Sequence, residues 1–437
     1  MSNPGLRDPL RRRPFRHLAI SYAVNEMGDW LGIVALSVLV FEITDSALAT
    51  TLLFLGTGFL PALLTPFFVA RLERPPPRFV LPLIYATEAA AFVALALLVD
   101  NFSLAAVVVV AAVDGALALT AKTLTRAVTA AMLEPHGELR SGNAVLNVAF
   151  TWGAATGPAI GGAVVAGLGV QSALLLDAAS FYAIAWIVFL AGALPEGEVE
   201  DEPGRLRDRV SAGLTYIRSN RTLKRLIVAE ALALTFFSLV VPIEVVYAKE
   251  SLDVGDVGYG VLLSSWGAGM VLGSIVFALL RRASLPFLLF FSTIAIGAGY
   301  LGMAAAQTLV VACVASFIGG VGNGVHWVVM ISAVQELTPQ SMQVRTIGTL
   351  ESIASATPGV AYVLGGLIAT HWDPRATFVV AGVGVLLVVA VMAPLLGYKW
   401  ADRPANPDSK PLDGGNDVVL ELIPGSRSVQ SNSEVLP

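Results

Sequence analysis

The sequence predicts an all-α membrane protein of twelve transmembrane helices arranged as two pseudo-symmetric six-helix bundles. Three observations predict it. Apolar runs long enough to cross about 30 Å of hydrocarbon at about 1.5 Å per helical residue recur twelve times in the 437 residues. Basic residues collect in alternate connecting segments, and the two halves of the chain show weak self-similarity.

The runs lie at 18–42, 47–70, 79–99, 103–122, 142–166, 170–193, 225–248, 257–280, 284–305, 308–332, 345–369 and 375–398. A chain that is 56% hydrophobic and 14% charged, with a mean hydropathy of +0.74, is not an ordinary soluble domain, whose composition includes about 25% charge. With both termini on one side, that side receives 25 of the 27 Lys and Arg residues, and the other keeps only Lys249 and Arg375. Cationic segments resist translocation, so the basic side and both termini are expected to be cytoplasmic. Arg11-Arg12-Arg13 precede an apolar stretch that runs on through Glu26 and Asp29, so they orient the first span and do not begin a cleavable signal. Arginine outnumbers lysine 22 to five, and Ala, Gly and Val abound. That is the composition of a GC-rich bacterial genome, which makes the expected location a bacterial cytoplasmic membrane. The single cysteine, Cys313, leaves no intrachain disulfide to consider.

The expected organisation is a basic cytoplasmic N-terminus (1–17), an N-terminal six-helix bundle (18–193), a cytoplasmic linker (194–224), a C-terminal six-helix bundle (225–398) and a disordered cytoplasmic tail (399–437). In the linker, Leu206, Val210, Leu214 and Ile217 recur at helical spacing among five arginines, which reads as a basic amphipathic helix on the membrane surface or as a plain solvated connection. The halves match in order at an offset of 204–211 residues: Ala70-Arg71-Leu72 with Leu280-Arg281-Arg282, Glu134-Pro135 with Thr338-Pro339, and Gly161-Gly162 with Gly365-Gly366. Parallel six-helix halves with the substrate route between them are a transporter architecture.

The fifth run carries Gly153, Gly157, Pro158, Gly161 and Gly162. Glycines at 153, 157 and 161 share one helix face and let a neighbour approach closely, while Pro158 removes a backbone donor and bends the helix. Packing alone accounts for such spacing. On the first span, Tyr22, Asn25, Glu26, Asp29 and Gly32 form a polar stripe expected to face a central cavity. Acids inside a bilayer cost about 2.5–3.5 kcal/mol and often mark ion routes, so Asp29, Asp114 and Glu26 are the proton-coupling candidates. Structural hydrogen bonds or ion pairs, such as Asp114 with Lys122 or Arg126, are the alternative. His326, whose imidazole ordinarily titrates near neutral pH, and Trp152 are further candidates for the cavity wall. Glu88, Asp177, Glu230 and Glu351, nearer span ends or on faces the sequence does not orient, are weaker proton-coupling candidates, and Glu244 beside Pro242 is expected either to line an exit vestibule or to snorkel at the interface.

Gly-xxx-Gly-Pro-xx-Gly-Gly in the fifth of twelve spans resembles the antiporter motif of the major facilitator superfamily. Phe15-Arg16-His17-Leu18, Gly28-Asp29-Trp30, Val40–Thr44, Ser46–Ala49 and the loop Leu139–Ala144 resemble its enterobactin-exporter-like and macrolide-efflux-like branch. The resemblance implies secondary-active efflux of a small amphipathic molecule (a drug, siderophore or other metabolite) coupled to protons. It also implies a gating loop at Arg71, Glu73, Arg74 and Arg78, although Ala70 stands where the family usually has the aspartate of that loop. A proton-coupled importer, a lipid translocator and a non-transporting membrane sensor of the same fold are the alternatives. Four scattered histidines, no metal-ligand spacing and no phosphate loop give no enzyme signature. Expected partners are a small-molecule substrate, protons and the lipid bilayer, with no nucleic acid, metal or cofactor, and the chain is expected to act as a monomer.

Overall fold

The computed structural model describes residues 7–72, 76–191, 194–195, 214–280 and 283–396. Helix α1 (Arg13–Thr44) starts with Pro14 in its first turn and stops at Asp45, whose φ of 46° ends the helical path. Helix α2 begins at Ala47–Phe54, where Ser46 Oγ accepts the Ala49 N–H at 3.3 Å. It widens through Leu55–Phe59 and continues over Leu60–Leu72. Helices α3 (Pro77–Leu97) and α4 (Leu104–Leu133) follow.

The next helical run, Leu139–Leu190, has 52 residues. A straight helix of that length would be about 78 Å long, over twice the hydrocarbon thickness. Gly169 breaks it, with φ 80° and ψ 163°, a conformation that glycine reaches without a steric penalty. The chain reverses there: Gly161 packs on Leu31 and Val34 of α1, and Asp177 is again beside Gly28 and Gly32 of that helix. Eleven helical runs are long and apolar enough to span a membrane, and this reversal makes the longest of them two crossings, α5 (139–168) and α6 (170–190).

Helix α7 starts at Arg221–Ser238, capped by Asn220 Oδ1, which accepts from Thr222 and Leu223 N–H. It is interrupted by the tight turn Val241–Ile243 at Pro242 and ends in a wide turn, Tyr247–Ser251. Helices α8 (Asp256–Leu279), α9 (Leu285–Ala305), α10 (Leu309–Leu337), α11 (Gln340–His371) and α12 (Pro374–Leu396) complete the fold. Leu83, Val109, Trp186, Val310 and Leu387 are among the large apolar side chains left on the outside, as a lipid-facing surface requires.

Several helices outrun the apolar stretches that announced them. Helix α4 continues past Lys122 to Leu133 because Lys122 turns toward acids of α1 and so does not mark the edge of the membrane. Most of the linker and the whole tail lie outside the described residues, as do Glu73 and Arg74. Residues 214–219 are helical.

The sequence repeat is also a structural repeat. Asp45 after α1 and Asp253 after α7 both adopt left-handed backbone angles, with φ 46° and 51°. Gly161 of α5 abuts α1, and its counterpart Gly365 of α11 abuts Leu239 beyond α7's first segment. Gly162 meets Asp256 and Gly260 of α8, and Gly366 meets Thr51 of α2. Each half thus offers one glycine to its own first helix and the next to the other half's second.

Candidate functional site

Call the face where α1 begins proximal and the opposite one distal. Distally, the apolar core is continuous across both halves, from Val34–Phe41 and Leu53 to Leu239–Tyr247, Tyr259 and Phe378. Proximally it splits into separate clusters, one around Phe15, Tyr22 and Leu146 and the other around Leu226, Val329 and Met392. The halves therefore close against each other distally and part proximally.

Two seams make the distal closure. Helices α5 and α8 cross backbone to backbone, with Gly260 against the Pro158 carbonyl and Gly267 against Ala154. The Ala159 N–H, just after the proline, donates to Ser264 Oγ across the seam at 2.9 Å. Helices α2 and α11 meet at Gly366, and at Gly359, where a methyl would sit 2.6 Å from the Phe59 ring. Of the two basic residues the sequence leaves at this end, Lys249 joins Glu42 of one half, at 2.8 Å, to Asp256 of the other. Arg375 donates to the carbonyls of Ala304, Ala306 and Ser251.

The proximal gap is a cavity of about 1010 Å³, lined by both halves and reaching Leu139 and Arg140 at the start of α5. That is the size of a site for a drug-sized molecule. One wall presents Tyr22, Arg126, Asn143, Asn147 and Phe150, and the other Glu230, Phe237, Asn323, His326 and Trp327.

Two ionisable groupings adjoin it. On α1 and α4, Lys122 Nζ lies 3.1 Å from Glu26 Oε1 and 2.9 Å from Asp29 Oδ2. Asn25 Nδ2 donates to Asp29 Oδ2 at 3.1 Å. Glu26 is 2% exposed and Asp29 28%. In the other half, His326 Nε2 lies 2.7 Å from Glu230 Oε2, and its Nδ1 lies 3.3 Å from Thr293 Oγ1.

The structure brings Asp29 and Glu26 together but sets Asp114 apart, in the interior of the N-terminal half. Asp114 is not the partner of Lys122: it interacts through space with Asp29 and Glu88. Both oxygens of Glu88, and one each of Asp114 and Asp177, are buried without a hydrogen-bond partner among the described residues. Of the residues expected on the cavity wall, Tyr22 and His326 line it. Asn25 is buried, and Gly32 is enclosed by Phe92 and Asp177. Trp152 faces outward, 65% exposed, because the glycine face of α5 is occupied by α1 and its Ala154–Pro158 side by α8. Gly153 and Gly157 do make the expected close approach: methyls there would fall 3.0 and 2.7 Å from the Cβ atoms of Glu26 and Trp30. Arg78 stacks its guanidinium 4.6 Å from the Phe79 ring centroid. The described residues hold no group of three or more His, Cys, Asp or Glu able to bind a metal ion.

Outside the spans, Arg12 Nε donates to Glu138 Oε2 at 2.7 Å and Nη2 to Oε1 at 3.0 Å. This two-pronged contact ties the start of α1 to the start of α5. The hydrogen bond from Arg12 holds the Glu138 carboxyl below its ordinary range.

Glu230 is a weaker candidate in the sequence because it lies near the start of its span on a face the sequence does not orient; the structure supplies its partner, His326, 96 residues away. The placement of Glu230 between Arg225 and the apolar run of α7 was the only signal.

Two helical bundles, sealed at one end and parted at the other around a drug-sized cavity, define a membrane transporter of the major facilitator type. The chain belongs to the transmembrane secretion effector family, whose model matches residues 6–411. It is 25% identical over 402 residues to the multidrug efflux pump Tap of Mycolicibacterium fortuitum, covering 88% of this chain and 97% of that one. It is 23% identical over 409 residues to the MFS-type transporter YfiS of Bacillus subtilis, covering 88% and 93%. Among solved structures, a bacterial homologue of the iron transporter ferroportin in an inward-facing state superposes with a TM-score of 0.70 at 16% identity, over 90% of this chain and 99% of that one. A bacterial homologue of the human lysosomal transporter Spinster, inward-facing and occupied, gives 0.68 at 14%, over 91% and 99%. These two likenesses concern the fold.

Proposed function

We propose that the chain is a proton-coupled exporter that moves a small amphipathic molecule out of the cytoplasm by alternating access. It works as a monomer in a bacterial cytoplasmic membrane, with the proximal face and both termini in the cytoplasm. The observation that carries this reading is the cavity: it opens on the face to which the basic flanks assign the cytoplasm, and both halves line it. The relative named as a multidrug efflux pump supports the direction.

Coupling follows from the shared lysine. With both acids ionised, Lys122 ties Glu26 and Asp29 of α1 to α4. A proton on Asp29 removes one of the two attractions, and α1 lies directly on the glycine face of α5, the helix that forms the distal seam. Moving one charge across 100 mV supplies about 2.3 kcal/mol, or roughly 50-fold accumulation at about 1.4 kcal/mol per decade. The test is proton movement in proteoliposomes driven by a panel of amphipathic dyes. Substrate-dependent proton flux that is lost in Asp29→Asn supports the exporter, whereas tight binding without flux in the parent protein overturns it in favour of a sensor.

A further inference from the structure

The Glu230–His326 pair takes no part in the coupling scheme above, yet it stands on the cavity wall with Glu230 1% and His326 5% exposed. Counting hydrogens fixes what it holds. Thr293 Oγ1 has one hydrogen, and the Leu289 carbonyl at 2.7 Å is a nearer and stronger acceptor for it than Met392 Sδ at 3.6 Å; with the hydrogen placed there, the hydroxyl accepts from His326 Nδ1, which carries a proton. The 2.7 Å contact between Nε2 and Glu230 Oε2 then needs a second proton, because a bare ring nitrogen and a carboxylate oxygen would repel each other at that distance. The pair as built is loaded with one exchangeable proton, whichever atom it rides on.

The charged and titratable groups facing it across the cavity are Arg126 of α4, Arg140 of α5 and Tyr22 of α1. Around the pair, α8, α9, α11 and α12 present no ionisable side chain to the cavity among the described residues. Among the described residues, no other group on that wall can neutralise the Glu230 carboxylate once the proton leaves. Phe237 and Trp327 line the same wall, and aromatic side chains beside a carboxylate suit an organic cation.

We propose that Glu230 is a second coupling site, at which the cationic end of an amphipathic cargo and a proton compete. The entering cation pairs with the Glu230 carboxylate, His326 returns to its neutral form, and the shared proton departs to cytoplasmic water. Charge balances, since one cation binds for each proton released. The assignment of cytoplasmic loading rests on the exporter reading, but the exchange at Glu230 does not.

The test uses the purified full chain in weakly buffered detergent solution with a pH indicator. Rhodamine 6G serves as the cationic probe, fluorescein as the anionic one and Nile red as an uncharged check that the cavity is intact. The parent protein should release about one proton per rhodamine bound. Glu230→Gln should abolish the release and weaken rhodamine roughly tenfold while Nile red still binds. His326→Asn should abolish the release yet keep rhodamine binding. Rhodamine bound without proton release, release that survives either substitution, or fluorescein bound more tightly than rhodamine would overturn the proposal. Because binding in detergent involves no gradient, proton release intact there together with no net efflux from proteoliposomes would sink the exporter reading alone.

Discussion

Gly260→Val addresses the distal seam directly. Even the first carbon of the new side chain would fall onto the Pro158 carbonyl oxygen inside van der Waals contact, 3.0 Å from its carbon and 3.2 Å from Ala159 Cα. All three atoms are helix backbone and cannot rotate away, so α5 and α8 must separate. Overpacking of this kind costs about 1–3 kcal/mol. The cost falls on the distally closed form, because the contact exists only where the halves meet. The equilibrium should therefore move roughly 5- to 150-fold toward a distally open form. Spin labels at Gly167 and Gly255, where a side chain meets nothing within 4 Å, report the separation once Cys313, the only cysteine, is replaced by serine. The label distance should lengthen in Gly260→Val. A folded variant with an unchanged or shorter distance would show that the seam does not hold the halves together.

Losing the Ser264 hydroxyl removes one hydrogen bond across the same seam, so Ser264→Ala should loosen closure by about 0.5–1.5 kcal/mol, seen with the same labels as a smaller shift. Lys122→Met leaves Glu26 buried without its cation and should cost about 3–5 kcal/mol, measured as a fall in thermal stability. Adding Glu26→Gln should recover part of it, and the double-mutant cycle gives the coupling. The Arg12–Glu138 tie should depend on acid. Because the Glu138 carboxyl titrates below its ordinary 4.5 in the folded protein, its contribution is complete above that value and lost as pH falls through the lowered one. The amide protection factors of residues 9–16, which compare the measured exchange with the intrinsic rate at the same pH, should be smaller at pH 2.5 than at pH 7, with the difference absent in Glu138→Gln.

Much of the fold was legible because lipid permits few arrangements: every crossing must satisfy its own backbone, so runs of apolar residues become helices. The small-residue face of α5 also declared itself through spacing. What spacing left open was the partner. Gly161 and Gly162 are adjacent in sequence, yet one packs on α1 and the other on α8, a choice made by the docking of whole bundles. The polar stripe on α1 puts Glu26 and Asp29 on one helix face, but of its five residues only Tyr22 lines the cavity, and both acids turn to Lys122 of α4. Their ion pairing was not seen, because it depends on the rotation of α4 relative to α1. Glu230 and His326 meet from helices in no fixed sequence relation. Trp152 misled for the opposite reason: a large aromatic beside a glycine motif suggests a wall, but an all-apolar exterior also welcomes one.

Gly169 has a meaning for how the protein is made. Helices α5 and α6 are joined at one residue whose backbone angles perform the whole reversal, with no slack between them. During synthesis neither helix can settle in the bilayer while the other waits in the translocation machinery. They must enter as a hairpin, and a bulkier residue at 169, which would resist φ 80°, should show first as failed insertion in newly made chains rather than as slow transport in mature ones.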